Sequence, residues 1–307
     1  MLDDLKIIHE RDTQDNLGSA GHQAEQLDYA FELPHSSQVS DIYNVVIIAD
    51  SYGRLVATTA LGWLKLGVPV EVVTSEQLPA YIGERTLCIV VDNVGLAINT
   101  DNVVRIEAGR RLWQGLKAMA VVFDSYGLTH GKALELASQQ QWLAGQVAAW
   151  DPQKATSHNQ AKQIALELLG RSVVVYADTA VVAVAQKWQA DINGNAKQLA
   201  WLGDDKVFGY AGFAGWTKQP VHKVYAIIEL RLPGGKGGDD QLFTASDRLL
   251  SGLKPSPVTI EVQGDTVLQR LLYAGALSDF VSAYLAILNG VSPAESPIIA
   301  RLHKELS

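Results

Sequence analysis

From residue 43 onward the chain breaks into short, β-branched apolar runs that do not alternate with polar residues. Strands buried on both faces read this way, whereas a half-exposed sheet would alternate. The runs at 43–49, 68–73, 87–91 and 118–123 predict strands in the first half, and those at 171–177, 224–232 and 258–262 predict strands in the second. Between them lie stretches of helical spacing. One is 54–66. Another is 99–116, with Val103, Ile106, Trp113 and Leu116 on one face. Others are 131–148, 152–169, 179–189, 240–253, 265–289 and 293–306. Strand–helix alternation implies parallel sheets with helices on both faces, an α/β fold. Asp151-Pro152 marks a boundary, because proline opens helices and disfavours helical backbone before it. The expected domains are 1–151, which includes an N-terminal helical segment, and 152–307.

The length of 307 residues suits two such domains, and 48% hydrophobic against 19% charged residues is enough to fill their cores. A net charge of −8 argues against a nucleic-acid or anionic-membrane partner. Cys88 is the single cysteine and lies in an apolar run, so it reads as a buried thiol. No intrachain disulfide or cysteine-based zinc pattern is open to the chain, and the scattered histidines give no metal spacing. Neither a metal nor a cofactor is expected. The acidic start, Met1-Leu2-Asp3-Asp4, lacks a signal peptide's basic and apolar regions. The greasy stretch 267–288 carries Gln269, Arg270 and Asp279, and reads as a buried helix. A cytoplasmic protein is the expectation.

Ligands of open parallel sheets sit beyond the carboxyl ends of the strands. Aspartates cluster in those places: Asp50-Ser51-Tyr52-Gly53, Asp92-Asn93-Val94-Gly95, Asp124-Ser125-Tyr126-Gly127 and Asp178. Each aspartate can cap the following helix, and glycine can relax the bend. The repeated tetrapeptide DSYG then reads as one turn used twice. Gathered together, Asp50, Asp92, Asp124 and Asp178 could instead form an acidic mouth for Mg²⁺, Ca²⁺ or an amino compound. Pro233-Gly234-Gly235-Lys236-Gly237-Gly238 lacks the serine or threonine of a phosphate-binding P-loop and reads as a surface loop.

Residues 186–216 resemble the segment that carries the catalytic glutamate and histidine of the bifunctional phosphoglucose/phosphomannose isomerases, members of the sugar isomerase (SIS) superfamily. Lys187-Trp188, Ile192-Asn193, Asn195-Ala196-Lys197 and Gly215-Trp216 coincide with the pattern. So do Gly264-Asp265-Thr266-Val267-Leu268 and the run from Leu277 to Ser282. The resemblance implies two SIS-type, flavodoxin-like domains, a homodimer and a small sugar-derived ligand. It also places the family glutamate at Gly194, the histidine at Tyr210 and a site lysine at His303. The family's phosphate loops fall on Ser51, Tyr52 and Gly53, and on Asp92, Asn93 and Gly95. No arginine lies between Arg111 and Arg171, where the family keeps one.

These losses bear on the chemistry. An aldose–ketose isomerase moves a carbon-bound proton through an enediol, and a positioned carboxylate must take and return it. Glycine offers no such group, and tyrosine, with an ordinary pKa of ~10, is a poor replacement for imidazole. Loss of one acid–base group typically removes ~100- to 10,000-fold of rate. Aspartates at the loop entrances also oppose a phosphate: two like charges at ~4 Å repel by about 4 kcal/mol at an effective dielectric near 20. Asp50 and Asp92 are therefore expected to stabilise the helix ends themselves. Three readings stay open at this point: an isomerase-like protein without isomerase catalysis, an active isomerase with relocated groups such as Glu84, Asp205 or His222, and a binding module for a cation or aminosugar.

Overall fold

A computed structural model of the chain describes residues 1–33, 41–92, 95–203, 209–218, 224–235, 238–294 and 296–306. In chain order its elements are α1 (Leu5–Arg11), α2 (Asn16–Gly21), β1 (Asn44–Ala49), α3 (Ser51–Trp63), β2 (Val70–Val73), β3 (Thr86–Val91), β4 (Val103–Ile106), α4 (Leu112–Ser125), α5 (Lys132–Ala137) and α6 (Gln140–Val147). There follow α7 (Gln160–Leu168), β5 (Ser172–Ala177), α8 (Val182–Gly194), β6 (Ala200–Leu202), α9 (Tyr210–Gly215), β7 (Tyr225–Arg231), α10 (Asp240–Leu249), β8 (Val258–Glu261), α11 (Val267–Asn289) and α12 (Pro297–Leu306). Two compact units result. The first contains Met1–Gly21 and Gly145–Ser307, and the second contains His22–Ala144.

Both units hold a four-stranded, wholly parallel sheet, and the strand orders are equivalent: β2-β1-β3-β4 and β6-β5-β7-β8. Two parallel-sheet α/β units agree with the fold class expected from the sequence. In the second unit β1 and β3 are buried almost throughout, which is why their sequences are continuous runs of Val, Ile, Leu and Cys. Val46, Ile48, Cys88 and Val90 form one face, covered by Ile82, Leu96 and Ile98 from the connecting segments. Helices α3 and α4 pack closely on each other, and a Cβ at Gly115 would approach Val56 Cγ1 to 2.7 Å. Burial pushes the Cys88 thiol up to about 11.

The first unit is organised by α11. This helix is predominantly apolar, and most of its residues are buried. Thr266 caps it by accepting from Gln269 N (3.1 Å), and Gly290 ends it in a left-handed conformation with φ 71°. Its long apolar run is therefore a core helix. Residues 1–21 belong to this unit. Asp3 accepts from Thr156 N (2.8 Å), Thr156 Oγ1 (2.7 Å) and the buried Lys162 Nζ (3.1 Å). Those bonds, Thr156's hydroxyl first, hold the Asp3 carboxyl below its ordinary value. A second charged cluster lies around Glu229, fully buried in β7, which meets Arg231 and Lys254. Asp247 of α10 completes it by pairing with the same two cations.

Two expectations need correction. Residues 118–123 are not a strand but the middle of α4, and the strand is Val103–Ile106, inside the stretch expected to be helical. Helix α4 is buried on most of its circumference, so its sequence is as uniformly apolar as a buried strand's, and periodicity cannot separate the two. The two DSYG tetrapeptides consequently adopt different structures. Asp50 precedes α3, whereas Asp124 lies in the last turn of α4. There Asp124 accepts from Thr129 Oγ1 (2.8 Å) and from Ala133 N (2.9 Å), at the start of α5.

Candidate functional site

In each sheet the chain leaves one central strand, crosses to an outer strand, and returns to the other central strand. The reversal makes a crevice between β1 and β3, and another between β5 and β7, at the carboxyl ends. The residues leaving these strands decide what either crevice can hold.

In the second unit α3 begins directly after Asp50, so Ser51, Tyr52 and Gly53 are its first turn rather than an open loop. Gly53 lies against β3, where an added Cβ would come within 3.1 Å of Val91 Cβ. Close helix–strand packing thus gives this glycine a structural reason. Asp50 makes no side-chain cap bond to α3 among the described residues; its Oδ1 accepts from Ser75 N (3.3 Å), beyond β2. Asp92 adopts a left-handed φ of 59°. Its Oδ1 accepts from Ala108 N (2.8 Å) and Gly109 N (2.9 Å), beyond β4. Asp50 does not cap α3, and among the described residues no helix follows Asp92 before β4, contrary to expectation. Both reach outward instead, to the exit of the neighbouring outer strand. Gly95 lies in a turn, and Asn93 lies outside the described residues.

In the first unit the aspartates reach inward. Asp178 is buried at the end of β5 and accepts from Ala180 N (3.0 Å) and from Asp239 N (3.4 Å). Asp239 precedes α10, on the connection that follows β7. Its Oδ2 accepts from both Thr179 N and Thr179 Oγ1, each at 2.7 Å. The exits of the two central strands are thereby tied together. A backbone amide paired with a threonine hydroxyl is a donor set that also suits an anion, and here a carboxylate of the chain occupies it. Sequence reading named Asp178 but missed Asp239, which carries no local signal beyond its place before a helix. The four aspartates proposed as one acidic mouth are bonded separately. No group of three metal-binding side chains occurs among the described residues.

The residues shared with the isomerase pattern have structural partners. Trp188 Nε1 donates to Ala274 O (2.9 Å) and fixes α8 on α11. Asn193 clasps β6, donating to Ala200 O (2.9 Å) and accepting from Ala200 N (3.1 Å). Asn195 Nδ2 donates to Ser282 Oγ (2.9 Å), and Lys197 Nζ to Ser292 O (2.7 Å). Trp216 packs on Phe243 and Ile227 and donates to Tyr176 OH (2.8 Å). Lys187 is buried between two carboxylates, Asp191 and Asp279, each at 2.5 Å, and Ser278 Oγ donates to the same Asp191. Gly194 closes α8, Tyr210 opens α9, and His303 lies in α12. Glu84 is exposed just ahead of β3, at the amino end of its strand and away from the crevice of its own unit. Asp205 and His222 lie outside the described residues.

Residues 157–306 match the family described as the bacterial phospho-glucose isomerase C-terminal SIS domain. Over that stretch, just under half of the chain, it is similar to the SIS domain of phosphoglucose/phosphomannose isomerase-like proteins. The bifunctional phosphoglucose/phosphomannose isomerase of Aquifex aeolicus is 25% identical over 145 residues, 47% of this chain and 45% of that protein. The chain spans about half the length of the curated relatives it matches. Among solved structures, a glucose-6-phosphate isomerase like protein from Thermus thermophilus superposes with a TM-score of 0.64 at 16% identity, covering 99% of this chain and 98% of that one. Tagatose-6-phosphate ketose/aldose isomerase from Escherichia coli gives 0.55 at 10% identity, covering 95% and 93%. At these identities the likeness is one of fold. It accounts for the paired parallel sheets.

Proposed function

We propose that the chain is an SIS-family protein that does not catalyse aldose–ketose isomerisation and acts through binding or assembly, with any sugar-derived ligand held in the crevice of the second unit. The observation that carries the reading is the end of α8. It closes on Gly194, where the family pattern has a glutamate, and the nearest carboxylate on the helix, Asp191, is engaged by Lys187 and Ser278. A base held by a buried ammonium and a hydroxyl is not free to shuttle a proton. The occupied donors of Thr179 add support, because a phosphate there would have to displace the Asp239 carboxylate against charge repulsion. The reading covers a cytoplasmic protein that needs no cofactor.

The test is a coupled assay of the purified chain with glucose 6-phosphate, mannose 6-phosphate and fructose 6-phosphate. Turnover should stay at the uncatalysed level. A rate near ~1 per second, ordinary for an enzyme, would refute the proposal.

A further inference from the structure

The backbone at Lys197 has a left-handed φ of 52°, a conformation that a lysine keeps only where its surroundings impose it. The residue lies in the short loop that joins Gly194, at the end of α8, to β6. Two side chains tie this loop to the end of α11. Lys197 Nζ donates to Ser292 O (2.7 Å) and Pro293 O (3.3 Å), as well as to Asn195 O (3.3 Å). Asn289, the last residue of α11, donates to Ala196 O (3.0 Å) and to Gln198 Oε1 (3.0 Å). On the other side Gln198 donates to Leu168 O (2.7 Å) and Arg171 O (2.6 Å). The strained turn is thus stretched between the entry to β5 and the last turn of α11.

That last turn is held from the amino terminus of the chain. A helix end leaves carbonyls without intrahelical donors, and a cation beside them is favourable. Arg11, the last residue of α1, donates through Nη1 to Ile287 O. The residues around it are seated firmly. Leu2, Ile8, Leu17 and Ala20 are buried, and Asp3 binds Thr156 and Lys162 near the start of α7. Among the described residues Asp3 is the only carboxylate paired with the buried Lys162. Residues 1–21 therefore form a strap on the first unit, pinned by Asp3 at α7 and by Arg11 at the end of α11. We propose that this strap is a conformational control. While seated, it keeps the 195–198 loop in its strained form; once released, it lets the last turn of α11 shift and Lys197 relax. The coupling runs through bonded contacts, from Arg11 to Ile287 and then from Asn289 to Ala196, and its two-state element is the turn at Lys197. A molecule that captured the amino terminus would change the loop beside Gly194 without touching it.

Amide hydrogen exchange on the full chain, read segment by segment, tests this. Arg11→Met keeps an unbranched side chain and removes its donors. Amides in 195–200 and 289–292 should then exchange roughly tenfold faster than in the wild type, whereas those in 44–49 and 86–91 of the second unit should not change. Lys197→Gly relieves the strain and cuts the tie to Ser292. Adding Arg11→Met to it should speed 195–200 no further, because both substitutions act on one link. If Arg11→Met fails to fold, Asp3→Asn loosens the other pin and is read in the same way. Acceleration confined to residues 1–21 overturns the proposal, and so does uniform acceleration across the first unit. An equal effect of Arg11→Met with and without Lys197→Gly overturns it as well.

Discussion

In the second unit, the aspartates leaving the central strands turn away from the crevice, Asp50 toward Ser75 and Asp92 toward Ala108 and Gly109. In the first unit, Asp178 and Asp239 turn toward each other's segments and close the crevice with three hydrogen bonds. One strand order therefore supports two electrostatic arrangements. In one, the chain's carboxylates brace the outer strands and leave the central gap unbridged by them. In the other, they serve as built-in anions. Topology determines where a ligand can approach, and a few side chains determine whether it can stay.

Substitutions can break this comparison, beginning with the largest effect. Lys187→Met removes the cation from a site where Asp191 is almost fully buried. An uncompensated buried charge costs about 3–5 kcal/mol, to be read as a shift of the first unit's urea transition. A loss under ~1 kcal/mol would mean the cluster is open to water. Asp92→Ala removes the acceptor for two amides and leaves a left-handed backbone on alanine, for a combined cost of about 2–3 kcal/mol. Asp92→Asn should cost less than half as much, because asparagine tolerates that backbone and keeps an acceptor oxygen. Equal losses in the two variants would show that the backbone is not held by the side chain.

Asp239→Ala should cost about 1 kcal/mol, since water can reach the freed donors of Thr179. Inorganic phosphate should recover part of that loss in the variant and do less for the wild type. Equal phosphate effects would remove the idea of an occupied donor set. Acid should weaken the first unit through Asp247. Burial raises its pKa, but hydrogen bonds from Lys254 and Arg231 outweigh burial and leave it lowered. A lowered carboxyl contributes stability above its ordinary value of 3.8 and loses it as pH falls through the lowered value. Melting followed from pH 6 to pH 2 should therefore decline below about pH 4, and Asp247→Asn should flatten that decline. The smallest effect expected is at Cys88. Its buried thiol should not react with a thiol reagent at neutral pH until the second unit opens, which makes labelling a probe of that unit alone.

The parts legible in sequence follow from burial pattern. Runs such as Asn44–Ala49 and Tyr225–Arg231 are strands because nearly every residue in them is buried, whichever face it points to. That rule failed for α4, whose surroundings are apolar on nearly all sides, and it had nothing to read in the three residues of β6. Frame residues such as Trp188 and Asn193 were recognisable because their partners lie in fixed elements. The pairing of Thr179 with Asp239 was not, because 60 residues separate them and only the parallel crossover brings them together. The outward reach of Asp92 was hidden too, since no sequence pattern reports a left-handed aspartate.

The most direct test of the account is solvent exchange. An enediol mechanism releases the migrating hydrogen to a base, so an active isomerase in deuterium oxide labels carbon-bound positions of fructose 6-phosphate even when net turnover is slow. Followed by proton NMR over hours with the purified chain, the C1 signals should keep their full intensity. Enzyme-dependent loss of one C1 hydrogen would contradict the claim that no working base stands at the end of α8.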